Sequence, residues 1–393
     1  MTKRNPHLSH LKPTYLFPEI NQRKQHYLAQ HPHAKLISLG IGDTTEPISP
    51  HITQGLIEGA SRLGTRAGYT GYTSEQGMPL LRERIAENVY HNRITAQEVF
   101  ISDGAKCDIG RLQALFGSQV SIAVQDPAYP VYVEGSLIHG VRHIHYMSCT
   151  PQNNFFPELQ KLPPVDLIYF CSPNNPTGAV ATRAQLTELV RYAQKNRAII
   201  LYDAAYAHYI QDPTLPRSIY EIDGAREVAI EMGSFSKIAG FTGVRLGWSI
   251  IPLELTFDDG TPVIRDWNRL TTTIFNGASN IAQIGGLAAL DTQGLAEMQA
   301  LVQFYLENAR LIQEGLKQMP AAIYGGINAP YVWIHCKGQN SWDVFQNLLE
   351  QVQIICTPGS GFGAAGEEFI RLSAFGKREN ILEAVDRLQS FRL

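Results

Sequence analysis

Ser234-Phe235-Ser236-Lys237-Ile238-Ala239-Gly240-Phe241-Thr242-Gly243-Val244-Arg245-Leu246-Gly247-Trp248 concentrates more chemistry than any other stretch of this 393-residue chain. Its single lysine is an amine able to bond to a carbonyl. Ser234 and Ser236 stand just before it and Arg245 stands eight positions after it. That donor set suits a dianionic phosphate, which takes several hydrogen bonds and a bidentate guanidinium. Gly240 and Gly243 let the backbone turn tightly beside a ligand. A glycine-rich surface loop with an ordinary lysine is the competing reading, so the neighbouring segments have to decide.

Upstream, VSIAVQD (120–126), VDLIYFCSP (165–173) and AIILYDAAY (198–206) are largely apolar on both faces, as buried parallel strands must be. Amphipathic stretches alternate with them, the pattern of strands joined by crossover helices. Asp126, Asn175 and Asp203 stand at the ends of these runs, and open α/β sheets bind ligands outside the carboxyl ends of their strands. An aspartate that caps a helix and an Asn-Pro turn would explain two of the three equally well. After the strand pattern VFIS (99–102), Ser102-Asp103-Gly104-Ala105-Lys106 opens a helical pattern. Backbone N–H groups and the helix dipole receive phosphate in that arrangement, which marks Ala105 and Lys106.

The order is what cannot be dismissed: Asn175 in Ser172-Pro173-Asn174-Asn175-Pro176-Thr177-Gly178, then Asp203 and Tyr206 in Leu201-Tyr202-Asp203-Ala204-Ala205-Tyr206, then Lys237 and Arg245. With it the chain resembles the class I/II aminotransferases, which depend on pyridoxal phosphate. The resemblance implies an α/β fold of fold type I, with a mostly parallel central sheet in a large domain plus a smaller α+β domain. It implies that Lys237 bonds to the cofactor aldehyde and, once displaced by substrate, moves protons at the substrate carbon. Asp203 would keep the pyridine nitrogen protonated, while Tyr206 and Asn175 reach the phenolic oxygen. Ser234, Ser236 and Arg245, with Ala105 and Lys106, would hold the phosphate. Tyr132, the second tyrosine of Asp126-Pro127-Ala128-Tyr129-Pro130-Val131-Tyr132, would stack on the ring, although an interior aromatic is the plainer reading. The family also forms twofold homodimers with active sites at the interface, where Tyr72 in Gly71-Tyr72-Thr73-Ser74-Glu75-Gln76-Gly77 would reach a neighbour's phosphate.

Arg371 lies inside the otherwise apolar strand pattern Glu368-Phe369-Ile370-Arg371-Leu372-Ser373, where an unpaired charge is costly. A ligand carboxylate or a structural ion pair would account for it; the resemblance makes it the arginine that grips the substrate α-carboxylate. Over nearly the whole chain the resemblance is strongest to the branch of the family acting on LL-2,6-diaminopimelate. Segments such as RNPHLSHLKPTYLF, GYTGYTSEQGMPLLR and TTTIFNGASNIAQ carry it. It implies amino transfer between glutamate/2-oxoglutarate and diaminopimelate/tetrahydrodipicolinate, for lysine and cell-wall precursors. Such a substrate has amino-acid groups at both ends, so the pocket needs an acceptor for the distal ammonium and donors for the distal carboxylate. Tyr15, Gly42, Glu75, Lys106 and Asn276 occupy the matching positions, and Tyr132 and Asn175 also face the substrate. Read from the residues alone, Glu75 is equally a solvated loop charge and Asn276 a helix cap.

The bulk numbers are compatible with this. A chain of 393 residues is long enough for a large and a smaller domain, and we expect 1–45 to form an N-terminal arm and part of the small domain, 46–285 the cofactor-binding domain and 286–393 the remainder. With 33 Lys plus Arg against 36 Asp plus Glu, a formal charge of -3 and no long basic run, nucleic acid is not an expected partner. No stretch approaches the ~20 apolar residues of a membrane span, and no signal-peptide pattern opens the chain. The five scattered cysteines include no CxxC pair, which points to free thiols in a reducing cytoplasm and to no metal. Two other classes are open on the residues: an aromatic or broad-specificity aminotransferase, with an apolar distal pocket, and a non-catalytic effector sensor built on the same domain. A carbon–sulfur lyase on this fold differs only in its products.

Overall fold

The structure, a computed structural model, describes residues 2–317 and 319–392. After β1 (Ile37–Ser38) come the seven strands of the main sheet: β2 (Val99–Ser102), β3 (Ser121–Asp126), β4 (His143–Ser148), β5 (Leu167–Cys171), β6 (Ile199–Asp203), β7 (Ala229–Ser234) and β8 (Gly247–Ile250). Their spatial order is β2-β8-β7-β6-β5-β3-β4. β8 alone runs against the others, so the sheet is mostly parallel, as the apolar runs predict. β5 and β6 are buried along their whole length, which requires cover on both faces. The edge strand β4 is largely solvated, and its histidines face outward.

The order of the strands fixes where a ligand can sit. From β3 the chain steps outward to β4, then returns past β3 to β5 and continues through β6 and β7 in the opposite direction. The crevice at such a reversal is where open sheets bind ligands, and Asp126, Asp203 and Ser234 end three of the strands beside it. The lysine segment is the loop that leaves β7 and re-enters as β8. Register pairs Ser234 with Gly247 and Gly233 with Trp248, so the loop is tied at its base. Nothing in the sequence marks β8 as a strand, because its first residues follow directly on a glycine-rich turn.

A second, antiparallel sheet has the order β12-β13-β10-β9, from β9 (Ala322–Gly325), β10 (Tyr331–His335), β12 (Thr357–Pro358) and β13 (Phe369–Ser373). β11 (Ile354–Ile355) pairs instead with β1. Leu16, Ile20 and Leu39 join Trp333, Phe345, Ile370 and Leu372 in one buried cluster, so N-terminal residues pack against the C-terminal sheet. The helix Thr292–Gly315, capped by the Asp291 side chain accepting from Gly294 N at 2.8 Å, begins six residues before Met298, where apolar spacing starts to read as helix. Met298, Val302 and Tyr305 enter the core of the main sheet, while Ala309 and Ile312 enter the second. One continuous helix thus serves both cores. Among the described residues no helix is long and apolar enough to cross a membrane.

Candidate active site

A cleft of about 350 Å³ opens between the carboxyl edge of the main sheet and the second sheet. Lys237 reaches it from the β7–β8 loop, and its Nζ donates to the carbonyl oxygen of Gly42. No carboxylate lies within ion-pair distance of it among the described residues. Burial therefore pulls its ammonium down to about 8; Asp43 opposes the shift, and Arg371 and Arg245 reinforce it. At pH 7 this leaves roughly a tenth of the amine unprotonated, far more than an ordinary lysine, and the unprotonated form is the nucleophile.

Asp203, at the end of β6, lies on the floor of the cleft. Its Oδ2 accepts from the Tyr132 hydroxyl at 2.7 Å and its Oδ1 from Ala205 N at 3.0 Å. Burial raises this carboxyl above its usual range, against the pull of those two donors, so the site favours a cation beside it. Tyr132 lines the cleft, its ring backed by Tyr169 at 5.3 Å and 22°.

The phosphate-type donors converge. Gly104, with φ +117°, leads into the helix Ala105–Phe116, whose first N–H groups have no intrahelical acceptor. A Cβ on Gly104 would collide with the Arg245 guanidinium, which crosses this turn. Arg245 Nη1 donates to Ser236 Oγ at 3.3 Å and to Thr242 O at 3.1 Å. Ser234, Ser236, Ala105 and Lys106 line the same end of the cleft. Asp103, next to Gly104 in sequence, is engaged by Arg111 at 2.7 Å. An oriented helix N-terminus, two hydroxyls and a guanidinium with no ion-pair partner among the described residues make an anion cradle.

Opposite stands Arg371, fully buried on β13. Nη1 donates to Asn175 Oδ1 at 2.6 Å, and Nη2 to Gly40 O at 2.6 Å and Thr357 Oγ1 at 3.3 Å. Nε has no partner. No carboxylate pairs with it among the described residues; aromatic rings surround it instead, with Tyr331 at 4.4 Å and Phe362 at 5.0 Å. A structural ion pair is therefore not what keeps this charge inside. With Asn175 Oδ1 occupied by Arg371, its amide nitrogen is the group left to donate into the cleft. Tyr206 does not stand free there: its hydroxyl meets that of Tyr331 at 2.7 Å.

Lys106 also lies 5.3 Å from the ring of Tyr15 and 5.8 Å from that of Tyr129, a cation held between two aromatics. The Tyr15 hydroxyl is buried without a partner, and burial, with Tyr129 beside it, pushes its pKa upward. Gly42 is a close approach that only glycine allows, since a Cβ there would lie 2.5 Å from Tyr331 Oη. Four predicted residues are not among those lining this cleft: Tyr15, which packs beside Lys106, and three that lie elsewhere. Tyr72 is 87% exposed, Asn276 is exposed and Glu75 half-buried. They share one surface patch, where Gly277 packs against the 73–75 turn and Asn280 Nδ2 donates to Thr70 Oγ1 at 2.7 Å. Tyr129 and Tyr331 were not singled out in the sequence, where each reads as an interior aromatic.

The model of the family described as aminotransferase class I and II matches residues 34–388. The chain belongs to the class I and II aminotransferases. It is similar to the LL-diaminopimelate aminotransferase of Protochlamydia amoebophila (strain UWE25), with 54% identity over 99% of this chain and 97% of the relative. The chloroplastic LL-diaminopimelate aminotransferase of Arabidopsis thaliana is also 54% identical, over 98% of this chain and 86% of that protein. Among solved structures, the L,L-diaminopimelate aminotransferase of Chlamydomonas reinhardtii superposes with a TM-score of 0.96 at 54% identity, covering 99% of this chain and 98% of the other. As an aminotransferase of this family the chain is an enzyme, and the family is pyridoxal-phosphate-dependent.

Proposed function

We propose that this aminotransferase exchanges an amino group between glutamate/2-oxoglutarate and LL-2,6-diaminopimelate/tetrahydrodipicolinate, using pyridoxal phosphate bound in the cleft. The donor set fits that cofactor: an anion cradle free of competing acid for the phosphate, a buried carboxylate for a ring nitrogen, and a buried amine for an aldehyde. Bound there, the cofactor supplies an electron sink for the electrons released at the substrate α-carbon. In this reading Asp203 holds a proton on the ring nitrogen, Tyr132 supports the ring face, and the Asn175 amide and Tyr206 hydroxyl serve the phenolic oxygen. Lys237 Nζ, when unprotonated, would hold and move the proton at the substrate α-carbon. Arg371 would orient the α-carboxylate and so bring the α-carbon toward Lys237.

The observation that carries the reading is Arg371: a guanidinium wholly buried beside the lysine without a carboxylate partner, a charge that a substrate carboxylate would complete. Diaminopimelate specificity draws on Lys106 between Tyr15 and Tyr129, with the unpartnered Tyr15 hydroxyl, a polar distal wall that an aromatic substrate would leave unsatisfied. It draws also on the patch of Tyr72, Glu75 and Asn276, which in a twofold homodimer would complete the neighbour's cleft. We take 46–285 as the cofactor-bearing domain and 1–45 with 286–393 as the part that bears Arg371. Five free thiols, four of them buried, suit a reducing cytoplasm. Assays of LL-diaminopimelate, tyrosine and aspartate with 2-oxoglutarate test the proposal. Preference for diaminopimelate supports it, and preference for tyrosine or aspartate overturns the substrate assignment.

A further inference from the structure

Tyr331 has no role in the function just proposed, yet its side chain lies against Tyr206, Arg371 and Gly42 at once. It lies on β10 and is 1% exposed. Its Oη meets Tyr206 Oη at 2.7 Å, which is its one hydrogen bond to a described side chain. The guanidinium carbon of Arg371 stands 4.4 Å from its ring centroid. The same Oη fills the space beside Gly42, whose carbonyl receives Lys237 Nζ. Taking the proposed function as its basis, we infer that Tyr331 is a positioning residue that couples the carboxylate-binding arginine of the second sheet to Tyr206, three residues past the end of β6 in the main sheet.

The coupling follows from counting protons. A phenol has one proton to donate and lone pairs to accept with. If Tyr206 donates into the cleft toward the cofactor's phenolic oxygen, its contact with Tyr331 requires Tyr331 to be the donor. A hydroxyl that accepts one hydrogen bond donates the next more strongly. The Tyr331 hydroxyl therefore strengthens the Tyr206 bond, while its ring, with the cation over its face, fixes the plane of Arg371. The two contributions belong to different atoms of one side chain, so different substitutions separate them.

Tyr331→Phe removes the hydroxyl and keeps the ring; Tyr331→Leu removes both. Each variant, loaded with pyridoxal phosphate and checked for fold by circular dichroism, is titrated with pH while the visible band of the bound cofactor is followed. Binding of succinate, an unreactive dicarboxylate, is measured by displacement of that band. For Tyr331→Phe the pH midpoint of the band rises by about half a unit, the size expected for a hydrogen bond acting at one remove, and succinate binding stays within about twofold because the cation–ring contact persists. Tyr331→Leu additionally weakens succinate about 2- to 30-fold. In the Tyr206→Phe background, Tyr331→Phe has no further effect on the midpoint. A midpoint identical in Tyr331→Phe and the unaltered protein overturns the coupling alone. Absence of any cofactor band in the unaltered protein overturns the proposed function beneath it, and the inference with it.

Discussion

Replacing Arg371 separates a residue kept for binding from one kept for stability. A guanidinium has five N–H donors, and at most three are engaged by Asn175, Gly40 and Thr357. At least two, one of them on Nε, remain for the two oxygens of a carboxylate. Arg371→Lys keeps the charge but cannot present two parallel donors; loss of one charge-assisted bond, about 1.5–3 kcal/mol, lowers kcat/KM for glutamate and 2-oxoglutarate roughly 10- to 150-fold. Arg371→Met removes both bonds, about 3–6 kcal/mol, and should cost roughly two to four orders of magnitude. Stability should move the other way. The variant strands no carboxylate and Gly40 O keeps its bond from Thr357; Asn175 Oδ1 alone loses its donor. Removing a buried charge of this kind is often neutral or stabilising by about 1–4 kcal/mol. The melting temperature of cofactor-free Arg371→Met should then be no lower than that of the unaltered protein, while a dicarboxylate raises only the latter. Steady-state kinetics and thermal melts with and without succinate decide this. Retained activity, or a large drop in melting temperature in the absence of ligand, would refute the reasoning.

Four further outcomes follow from the same geometry. Because burial places the Lys237 ammonium near 8, the rate of cofactor capture by apoprotein should rise about tenfold from pH 7 to 9 and level off; an unshifted lysine would give about a hundredfold rise with no plateau. The same depressed value means the folded state binds fewer protons than the unfolded between pH 8 and the ordinary 10.5, so apoprotein should gain stability as pH rises through that window, which urea titrations at successive pH values would register. Asp203→Asn preserves shape but removes the charge facing the ring nitrogen; at about 3–5 kcal/mol for a broken buried pair, turnover should fall by two to four orders of magnitude with the fold intact by circular dichroism. Glu75→Gln should raise KM for diaminopimelate about 10- to 100-fold, the cost of a charged hydrogen bond, and leave KM for glutamate nearly unchanged; equal effects on both would remove its specificity role.

What could be read from the sequence was the part whose chemistry sits at strand ends. Asp203, Asn175 and the base of the lysine loop fall where apolar runs stop, and Arg371 shows itself as a charge inside an apolar strand. Tyr331 was hidden because it belongs to YVWIHC, where a tyrosine is indistinguishable from core; its meaning arises from Tyr206, 125 residues away. Tyr129 was hidden in the same way, valued only beside Lys106 and Tyr15. β8 was missed because Gly247 closes the turn and opens the strand at once. Glu75 and Asn276 could be picked out as candidates but not placed, and Tyr72 was expected at a neighbour's site; one copy of the chain carries all three in a surface patch.

The central assignment is covalent and can be tested as such. Protein incubated with pyridoxal phosphate, reduced with borohydride and digested should yield one labelled peptide, spanning Ser234–Arg245, with the pyridoxyl mass on Lys237. Label distributed over surface lysines, or none on Lys237, would contradict the account.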